Sequence, residues 1–323
     1  MNRRYFIAKA SAALVAPLLA WAQAPRATFR VAYVAPSAGP TPITEAFRRA
    51  LADLGYVEGR TVAIQYCWMA GREAEYPAVL DSLGGNVDVV VVYGDVGIAA
   101  ARRMSDTTSV VFVNASEPVA LGVVHSFARP GGNMTGISYM ANELTGKRLE
   151  LLREMLPRVS RIAVLVNPNN PAAPLDVHEV EAAGRALGGI VKRFDAPRPE
   201  SFDGVITQIA QEGFGGVVVG ADGMLYTHRE KLRAPIASHR LPDSYAFREF
   251  VQVGGLLAYG ANLTHLAARA AGYVARLLSG DKPANLPVER PTKIDLAINL
   301  KTAKALGVTV PPALLLWADE VIE

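Results

Sequence analysis

VVVVYGDVG (residues 89–97) and GVVVGADGM (residues 216–224) decide the fold class of this chain. In each stretch an apolar run meets a turn that contains glycine and an aspartate, Asp95 in the first and Asp222 in the second. Such a run is typical of a buried strand that leads through a turn into a helix, as in α/β proteins with a parallel sheet. Two stretches of this kind predict two related halves.

A second pair of stretches supports the duplication. RVAYVAPSAGP (30–40) and RIAVLVNPNNP (161–171) share an arginine, an apolar core and a final proline, and both pairs lie about 130 residues apart. From Thr28 onward strand-like runs alternate with helical patterns, which predicts α/β lobes with parallel sheets. The predicted strands are 30–35, 62–66, 87–92, 110–113, 161–166, 190–194, 216–219 and 242–245, and the predicted helices include 43–54, 175–187 and 202–212.

The N-terminal segment, residues 1–22, has a basic start without acidic residues, an apolar stretch at 10–22 and a small-x-small end. This pattern predicts a cleaved secretory signal peptide, because the apolar stretch is shorter than the roughly 20 residues that span a bilayer. Arg3-Arg4-Tyr5-Phe6-Ile7 resembles a twin-arginine export signal, except that the usual lysine falls one place late, at Lys9. The export route stays open, and a periplasmic location is expected.

Composition excludes several classes of partner. The 323 residues carry a formal net charge of +3, and removal of the three basic residues of the leader leaves no net charge. We therefore expect no binding to nucleic acid or to anionic membrane surfaces. No later segment reaches transmembrane length, so we expect no stable membrane insertion of the mature chain. Cys67 is the only cysteine, which excludes an internal disulfide.

The sequence lacks the common signatures of catalysis. Residues 145–148 (TGKR) lack the leading glycine and the final hydroxyl of a phosphate loop, and no three-glycine dinucleotide pattern follows the first strand. There is no Gly-x-Ser-x-Gly elbow, and the five histidines are never spaced as a metal-binding pair. We predict no catalytic residue, no cofactor and no metal, and hence a protein that is not an enzyme.

Loops at the carboxyl ends of the strands are the expected ligand site, because ligands of parallel sheets bind there. Two lobes whose strand ends face each other form a cleft, which 36–41, 94–96, 114–117, 167–170 and 221–226 are expected to line. The chain is expected to cross between the lobes near 138–142, 256–259 and 291–298, as a hinge. The expected division is a signal peptide at 1–22, an N-terminal lobe at 28–138 plus 260–290, and a C-terminal lobe at 139–256 plus 291–323.

One candidate loop follows the strand at 110–113. Asn114, Ser116 and Glu117 precede Pro118, and a helix that begins at this proline would leave the preceding amides free to meet an anion such as a carboxylate. Plain helix capping by Ser116 is an equal alternative.

Asp95 and Asp222 also have two open interpretations. As N-caps, each would stabilise a helix by about 1 kcal/mol without any ligand. As cleft residues, two carboxylates would favour a cationic or zwitterionic solute. Tyr33, Tyr226 and Tyr259 offer stacking surface or ordinary core packing. The candidate ligand-binding residues are Ser37, Gly94, Asp95, Val96, Asn114, Ser116, Glu117, Asn169, Asp222, Tyr226 and Tyr259.

Several longer motifs resemble one family. LGYVEGRTVAIQY (54–66), SEPVALGVVHSFARPGGNMTGIS (116–138), KRLELLREMLPRVSRIAVLVNP (147–168) and much of the tail from 254 to 323 are similar to the tryptophan/tyrosine-type substrate-binding proteins of ABC importers. The resemblance covers essentially the whole mature chain. Relatives often carry a hydroxyl residue in place of Asp95.

The resemblance implies a type I periplasmic-binding-protein fold, with two Rossmann-like lobes, three crossovers and a ligand in the interlobe cleft. It further implies capture of a small polar or amino-acid-like solute, an amino acid or an amine, and its delivery to an ABC permease in the inner membrane. The alternatives are a ligand-sensing module for a membrane partner and an enzyme on the same scaffold, since a fold does not fix function.

Overall fold

The computed structural model describes residues 28–323, so the signal peptide predicted at 1–22 lies outside the described residues. The first lobe is built on five parallel strands in the order β2-β1-β3-β4-β5. These strands are β1 (Phe29–Ala35), β2 (Val62–Trp68), β3 (Val89–Tyr93), β4 (Ser109–Ala115) and β5 (Met134–Ser138). The helices in this part of the chain are α1 (Pro42–Asp53), α2 (Tyr76–Leu83) and α3 (Asp95–Ala101).

The second lobe begins with α4, and its sheet has the order β12-β11-β10-β9-β8-β6-β7. Its strands are β6 (Arg161–Val166), β7 (Ile190–Asp195), β8 (Val217–Val219), β9 (Asp243–Tyr245), β10 (Leu257–Ala261), β11 (Ile294–Asn299) and β12 (Glu320–Ile322). The remaining helices are α4 (Ala141–Met155), α5 (Ala173–Ala186), α6 (Phe202–Gln211), α7 (Gly223–Thr227), α8 (Arg229–Ser238), α9 (Glu249–Gln252), α10 (Leu263–Leu278), α11 (Leu300–Leu306) and α12 (Pro312–Trp317).

The two sheets repeat one topology, which confirms the predicted duplication. The parallel strands β7-β6-β8-β9-β10 of the second sheet follow the same order as β2-β1-β3-β4-β5 of the first. The second sheet then adds β11, which is antiparallel to β10, and β12, which is parallel to β11. The predicted α/β fold of two lobes with parallel sheets is confirmed, with this one antiparallel addition.

Alternation along the strands explains why both faces of the first sheet are covered. Ala32 and Val34 of β1 pack in one cluster with residues of α2 and α3. Val31 and Tyr33 face the other way and pack in a cluster that includes α1 and α10. Because side chains alternate across a strand, an unbroken apolar strand needs helices on both faces. Gly55 follows α1 with φ of 90°, as the predicted helix end there requires.

The chain passes between the lobes three times. It first crosses from β5 of the first lobe to α4 of the second, through Tyr139 and Met140. It crosses back after β10, at Asn262, and returns to the second lobe between Glu289, which bridges to Ile137, and β11. Two of the segments that we expected to form crossings, 256–259 and 291–298, are instead largely strands β10 and β11 of the second sheet. Their apolar residues pair in an antiparallel ladder, so the backbone turns between the lobes lie a few residues away.

Candidate functional site

The carboxyl ends of the strands in both lobes meet around two adjoining cavities, which we call together the interlobe cleft. The first is lined by Tyr33, Ala35, Pro36, Ser37, Thr41, Ile43, Tyr93, Gly94, Val113, Asn114, Asp222, Gly223, Tyr226, Phe247 and Leu263. The second is lined by Pro36, Glu73, Tyr76, Tyr93, Gly94, Asp95, Val96, Gly97, Asn170, Asp222 and Gly223. Loops after β1, β3 and β4 thus face loops after β6 and β8, as parallel-sheet topology predicts.

The lobes touch directly across the cleft. The Thr227 hydroxyl donates to the Pro36 carbonyl oxygen at 3.2 Å, and Asn167 Nδ2 donates to Glu73 Oε2 at 3.2 Å. A Cβ at Gly223 would lie 3.1 Å from the Pro36 ring, so only glycine permits this approach without a shift. These contacts define a closed arrangement of the two lobes.

Asp95 is 5% exposed and is held by the loop after β4. Its Oδ1 accepts a hydrogen bond from the Ser116 amide at 2.9 Å, and its Oδ2 accepts a short one from the Ser116 hydroxyl. Burial raises the pKa of the Asp95 carboxyl to about 7, although the bonds from Ser116 oppose the shift. The N-cap of α3 is Gly94, and Asp95 makes no capping bond, so the interpretation of Asp95 as a helix cap is wrong.

Asp222 is the N-cap of α7, which confirms the capping interpretation for this residue. Its Oδ1 accepts from the Leu225 amide at 2.9 Å. Its Oδ2 accepts from Asn170 Nδ2 at 3.0 Å and from Asn167 Nδ2 at 3.2 Å. Burial raises the pKa of the Asp222 carboxyl, and these hydrogen bonds act in the opposite direction.

Glu73 adds a third carboxyl group to the cleft. It lies at the start of a short 3-10 helix, Glu73–Glu75, before α2. Burial, and then the charge of Asp222, raise the pKa of the Glu73 carboxyl to about 7, while the bond from Asn167 lowers it. Asn167 therefore links a carboxylate of each lobe.

Two further polar atoms at the cleft are buried and have no hydrogen-bond partner within the described part of the chain. They are the Tyr93 hydroxyl and Asn114 Oδ1. Tyr93 is 8% exposed, and Asn114 has a left-handed backbone with φ of 63°. Because buried polar atoms normally have partners, these two atoms mark places where a ligand would hydrogen bond.

Aromatic rings form the apolar wall of the cleft. The ring centroids of Tyr33 and Tyr93 lie 5.0 Å apart, and Tyr226 packs edge-on against Phe247 at 5.5 Å. All four rings line the first cavity. This wall offers a flat solute the offset or edge-to-face contacts that aromatic rings favour.

A buried polar network supports the cleft from behind. The Ser116 hydroxyl also lies 3.0 Å from the Tyr139 hydroxyl at the first crossing. Arg148 is completely buried and donates a short hydrogen bond to the Thr145 hydroxyl, which in turn donates to Asp176 Oδ1 at 2.8 Å. Arg148 does not line either cavity, so its charge lies behind the cleft rather than in it.

Most of the predicted site residues lie in the cleft. Those that line a cavity are Ser37, Gly94, Asp95, Val96, Asn114, Asp222 and Tyr226. Ser116 lines neither cavity but donates a hydrogen bond to Asp95, which does. Glu117 is half-buried outside the lining, and its segment forms a single turn that Gly122 ends at φ of 65°, so the helix expected from Pro118 is not formed.

Two other candidates point elsewhere. Asn169 is exposed and donates to the Pro197 carbonyl oxygen, so it serves a surface turn. Tyr259 lies within β10 and packs on the core of the second lobe. The site residues that sequence reasoning missed are Glu73 and Phe247, which no motif marked, and Tyr93, which lies in the stretch 89–97 but was not a candidate. Asn167 and Asn170 lay in a loop that was expected to line the cleft, although neither was singled out.

The cleft is acidic. Asp95, Asp222 and Glu73 line it, and none of the described residues that line the two cavities is lysine, arginine or histidine. Among residues 28–323 no group of three or more His, Cys, Asp or Glu side chains is placed to hold a metal ion. No helix in the same part of the chain is both long and apolar enough to cross a membrane.

Comparison with known proteins places this architecture in one family. Residues 36–322 match the family model for the ABC transporter substrate binding protein. A tyrosine-binding protein of Clostridioides difficile is 23% identical over 273 residues, which cover 80% of this chain and 75% of that protein. The chain belongs to the ABC transporter substrate-binding family and is an extracytoplasmic solute-binding component of an ABC importer.

Solved structures agree on the fold. The ABC domain from Streptococcus pneumoniae in complex with L-Trp superposes with a TM-score of 0.85, at 22% identity, covering 91% of this chain and 100% of that one. The ligand-free, open structure of a substrate-binding protein from Clostridium difficile gives 0.65, at 19% identity, covering 91% and 99%.

Proposed function

We propose that the interlobe cleft captures a small solute with an amine or amino-acid-like polar end, and that the closed form delivers it to a permease in the inner membrane. The observation that carries this proposal is the combination of an aromatic wall with buried carboxyl groups, Asp95 from one lobe and Asp222 from the other. A flat apolar body would pack on Tyr33 and Tyr226, and the polar end would meet the acceptors.

We propose that binding shifts an equilibrium between open and closed lobes. Glu73, Thr227 and Pro36 make contacts across the cleft, and these contacts exist only when the lobes are closed. A solute that touches both lobes stabilises the closed form by its differential affinity for it. A permease that recognises the closed form then receives only loaded protein.

We further propose that the protein performs no chemistry on its solute and acts in the periplasm after removal of the N-terminal leader. Asp95 and Asp222 are both held by fixed donors, Ser116 in one case and Asn170 in the other, and no nucleophile is paired with a base among the residues that line the cleft. This arrangement is suited to binding a solute without converting it chemically.

The test is a thermal-shift screen of amino acids, amines and small organic acids on the mature protein. A solute at 100 times its Kd should add about 2.7 kcal/mol to the free energy of unfolding. Small-angle scattering of the best ligand should show a decrease in the radius of gyration as the lobes close. Conversion of the solute during incubation, followed by mass spectrometry, would contradict the non-enzymatic part of the proposal.

A further inference from the structure

Asp95 borders the second cavity of the cleft, and the two donors of Ser116 lie behind it. Ser116 presents its amide and its hydroxyl at the carboxyl end of β4, where backbone donors of a parallel sheet are available to an anion. Both donors are directed to Asp95, which accepts the amide at 2.9 Å. The protein's own carboxylate therefore occupies donors that would otherwise be available to an anionic group.

The carboxyl and amide oxygens that border the cavities offer acceptors to a solute. Oxygen atoms of Asp222 and Glu73 border the second cavity, and Asn114 Oδ1 at the first cavity is buried without a partner. The Tyr93 hydroxyl is an independent sign of a ligand, because it is unpartnered on a residue that is 8% exposed and lines both cavities. Within residues 28–323 no positively charged side chain lines either cavity.

We propose that the cleft selects a protonated primary amine on a flat, aromatic body and discriminates against the same molecule with a carboxylate. The inference rests on the proposed function of solute capture and names the class of solute. Hydrogen bonds between an ammonium group and carboxylates are charge-assisted and strong, and an ammonium group has three donors and no acceptor. The acceptor set of Asp95, Asp222, Glu73, Asn114 and Tyr93 is complementary to such a group.

The same electrostatics disfavours a solute carboxylate. A like charge at close range, away from bulk water, is costly, and specificity often comes from such a repulsive element. Arg148 does not relieve this cost. It lines neither cavity and lies behind the cleft, where the Thr145 hydroxyl connects it to the buried carboxyl group of Asp176.

The test compares three matched probes by isothermal titration on the full mature protein at pH 7.5. Tyramine carries the amine alone, L-tyrosine carries amine and carboxylate, and 3-(4-hydroxyphenyl)propanoate carries the carboxylate alone. We expect the Kd of tyramine to be at least tenfold lower than that of L-tyrosine, and no measurable binding of the propanoate.

Asp95→Ser sharpens the test, because it frees the amide and the hydroxyl of Ser116. The affinity for tyramine should fall at least tenfold, while the affinity for L-tyrosine should rise. Asp81→Asn, which removes an exposed carboxylate at the end of α2, is the matched control and should change neither Kd. The comparison of probes on the unaltered protein needs no variant, so misfolding of Asp95→Ser would not remove the test.

The possible outcomes separate this inference from the proposed function. If L-tyrosine or the propanoate binds as tightly as tyramine, or if tyramine does not bind, the selection for an amine without a carboxylate is refuted. Capture of any solute in the wider screen would leave the proposed function intact. If Asp95→Ser weakens both tyramine and L-tyrosine alike, Asp95 does not act as the built-in carboxylate, and the inference fails.

Discussion

Asp95 and Asp222 follow the third strand of their respective lobes, yet they form different hydrogen bonds. Asp222 caps α7 through the Leu225 amide and accepts from two asparagine side chains of the loop after β6. Asp95 caps nothing and accepts both of its hydrogen bonds from Ser116, in the loop after the next strand. The two carboxylates therefore lie at equivalent positions in the two lobes, but different neighbouring loops supply their hydrogen-bond donors.

The neighbours differ for a physical reason. The loop NPNNP after β6 supplies Asn167 and Asn170, whose amide groups donate to Asp222. The corresponding loop after β1, APSAGP, offers only Ser37, whose hydroxyl donates to the Gly39 carbonyl oxygen instead. Asp95 therefore finds its donors elsewhere. Each aspartate is thus held by donors of its own lobe, but only Asp222 also caps a helix.

The largest expected effect concerns the close approach of the lobes. Gly223→Leu places a side chain against Pro36, where even a Cβ would lie at 3.1 Å, so closure should be blocked. Affinity for the best ligand should fall more than 100-fold, which corresponds to about 2.7 kcal/mol. Titration calorimetry and small-angle scattering measure this. Gly204→Leu on α6, where a Cβ meets nothing within 4 Å, is the control, and equal losses in both variants would contradict the explanation.

The next effect tests the two aspartates directly. Asp222→Ala removes a helix cap and leaves the amides of Asn167 and Asn170 without their acceptor, so the free energy of unfolding should fall by about 2 kcal/mol. Asp95→Asn should cost less than about 1 kcal/mol, because an amide oxygen can still accept from Ser116 and a buried charge is removed. Urea denaturation at pH 7.5 measures both. A larger loss of unfolding free energy for Asp95→Asn than for Asp222→Ala would contradict the conclusion that Asp222 contributes more to stability.

The glycines beside the aspartates should differ in the opposite way. Gly94 has φ of 78° and ψ of 153°, a region that is nearly closed to other residues. Gly94→Ala should therefore lower the free energy of unfolding by about 1–2 kcal/mol, although a Cβ there meets nothing within 4 Å. Gly223→Ala should cost less, since Gly223 is not in the left-handed region and its Cβ would require only a small shift from the Pro36 ring. Thermal unfolding of both variants without ligand measures these effects. A Gly94→Ala protein more stable than the unaltered one would contradict the backbone strain expected at this position.

Sequence reasoning reached the fold and the placement of the main loops because both depend on local patterns. The apolar runs at 89–92 and 217–219 fixed buried strands, and glycine after each run fixed the turns that carry Asp95 and Asp222. It could not tell which aspartate caps a helix, because the deciding donor of Asp95 lies 21 residues away at Ser116. Glu73 was missed for the same reason, since its partner Asn167 is 94 residues away and belongs to the other lobe.

The smallest expected effect is a dependence on pH that differs between the ligand-free protein and the complex. Burial raises the pKa of Asp95 and of Glu73 to about 7, from ordinary values of 3.8 and 4.5. The charges of Asp176 and Asp222 add to the rise in the pKa of Asp95, and the charge of Asp222 adds to that of Glu73, while the hydrogen bonds from Ser116 and Asn167 oppose these shifts. Between about pH 4 and pH 7 the folded protein keeps protons that the unfolded chain has lost. These groups therefore make the ligand-free protein less stable as pH rises through that window.

Binding of an amine should show the opposite trend, because the ammonium group favours the ionised carboxylates. The affinity for tyramine should rise about tenfold from pH 6.5 to pH 8, as both carboxyl groups lose their protons. Asp95→Asn should remove part of both trends, whereas Asp81→Asn should keep them, since Asp81 is exposed. Calorimetry across this range, paired with urea denaturation, checks both signs. An affinity that falls with rising pH would mean that the ionised form of Asp95 does not meet the ligand, and that Asp95 serves the fold alone.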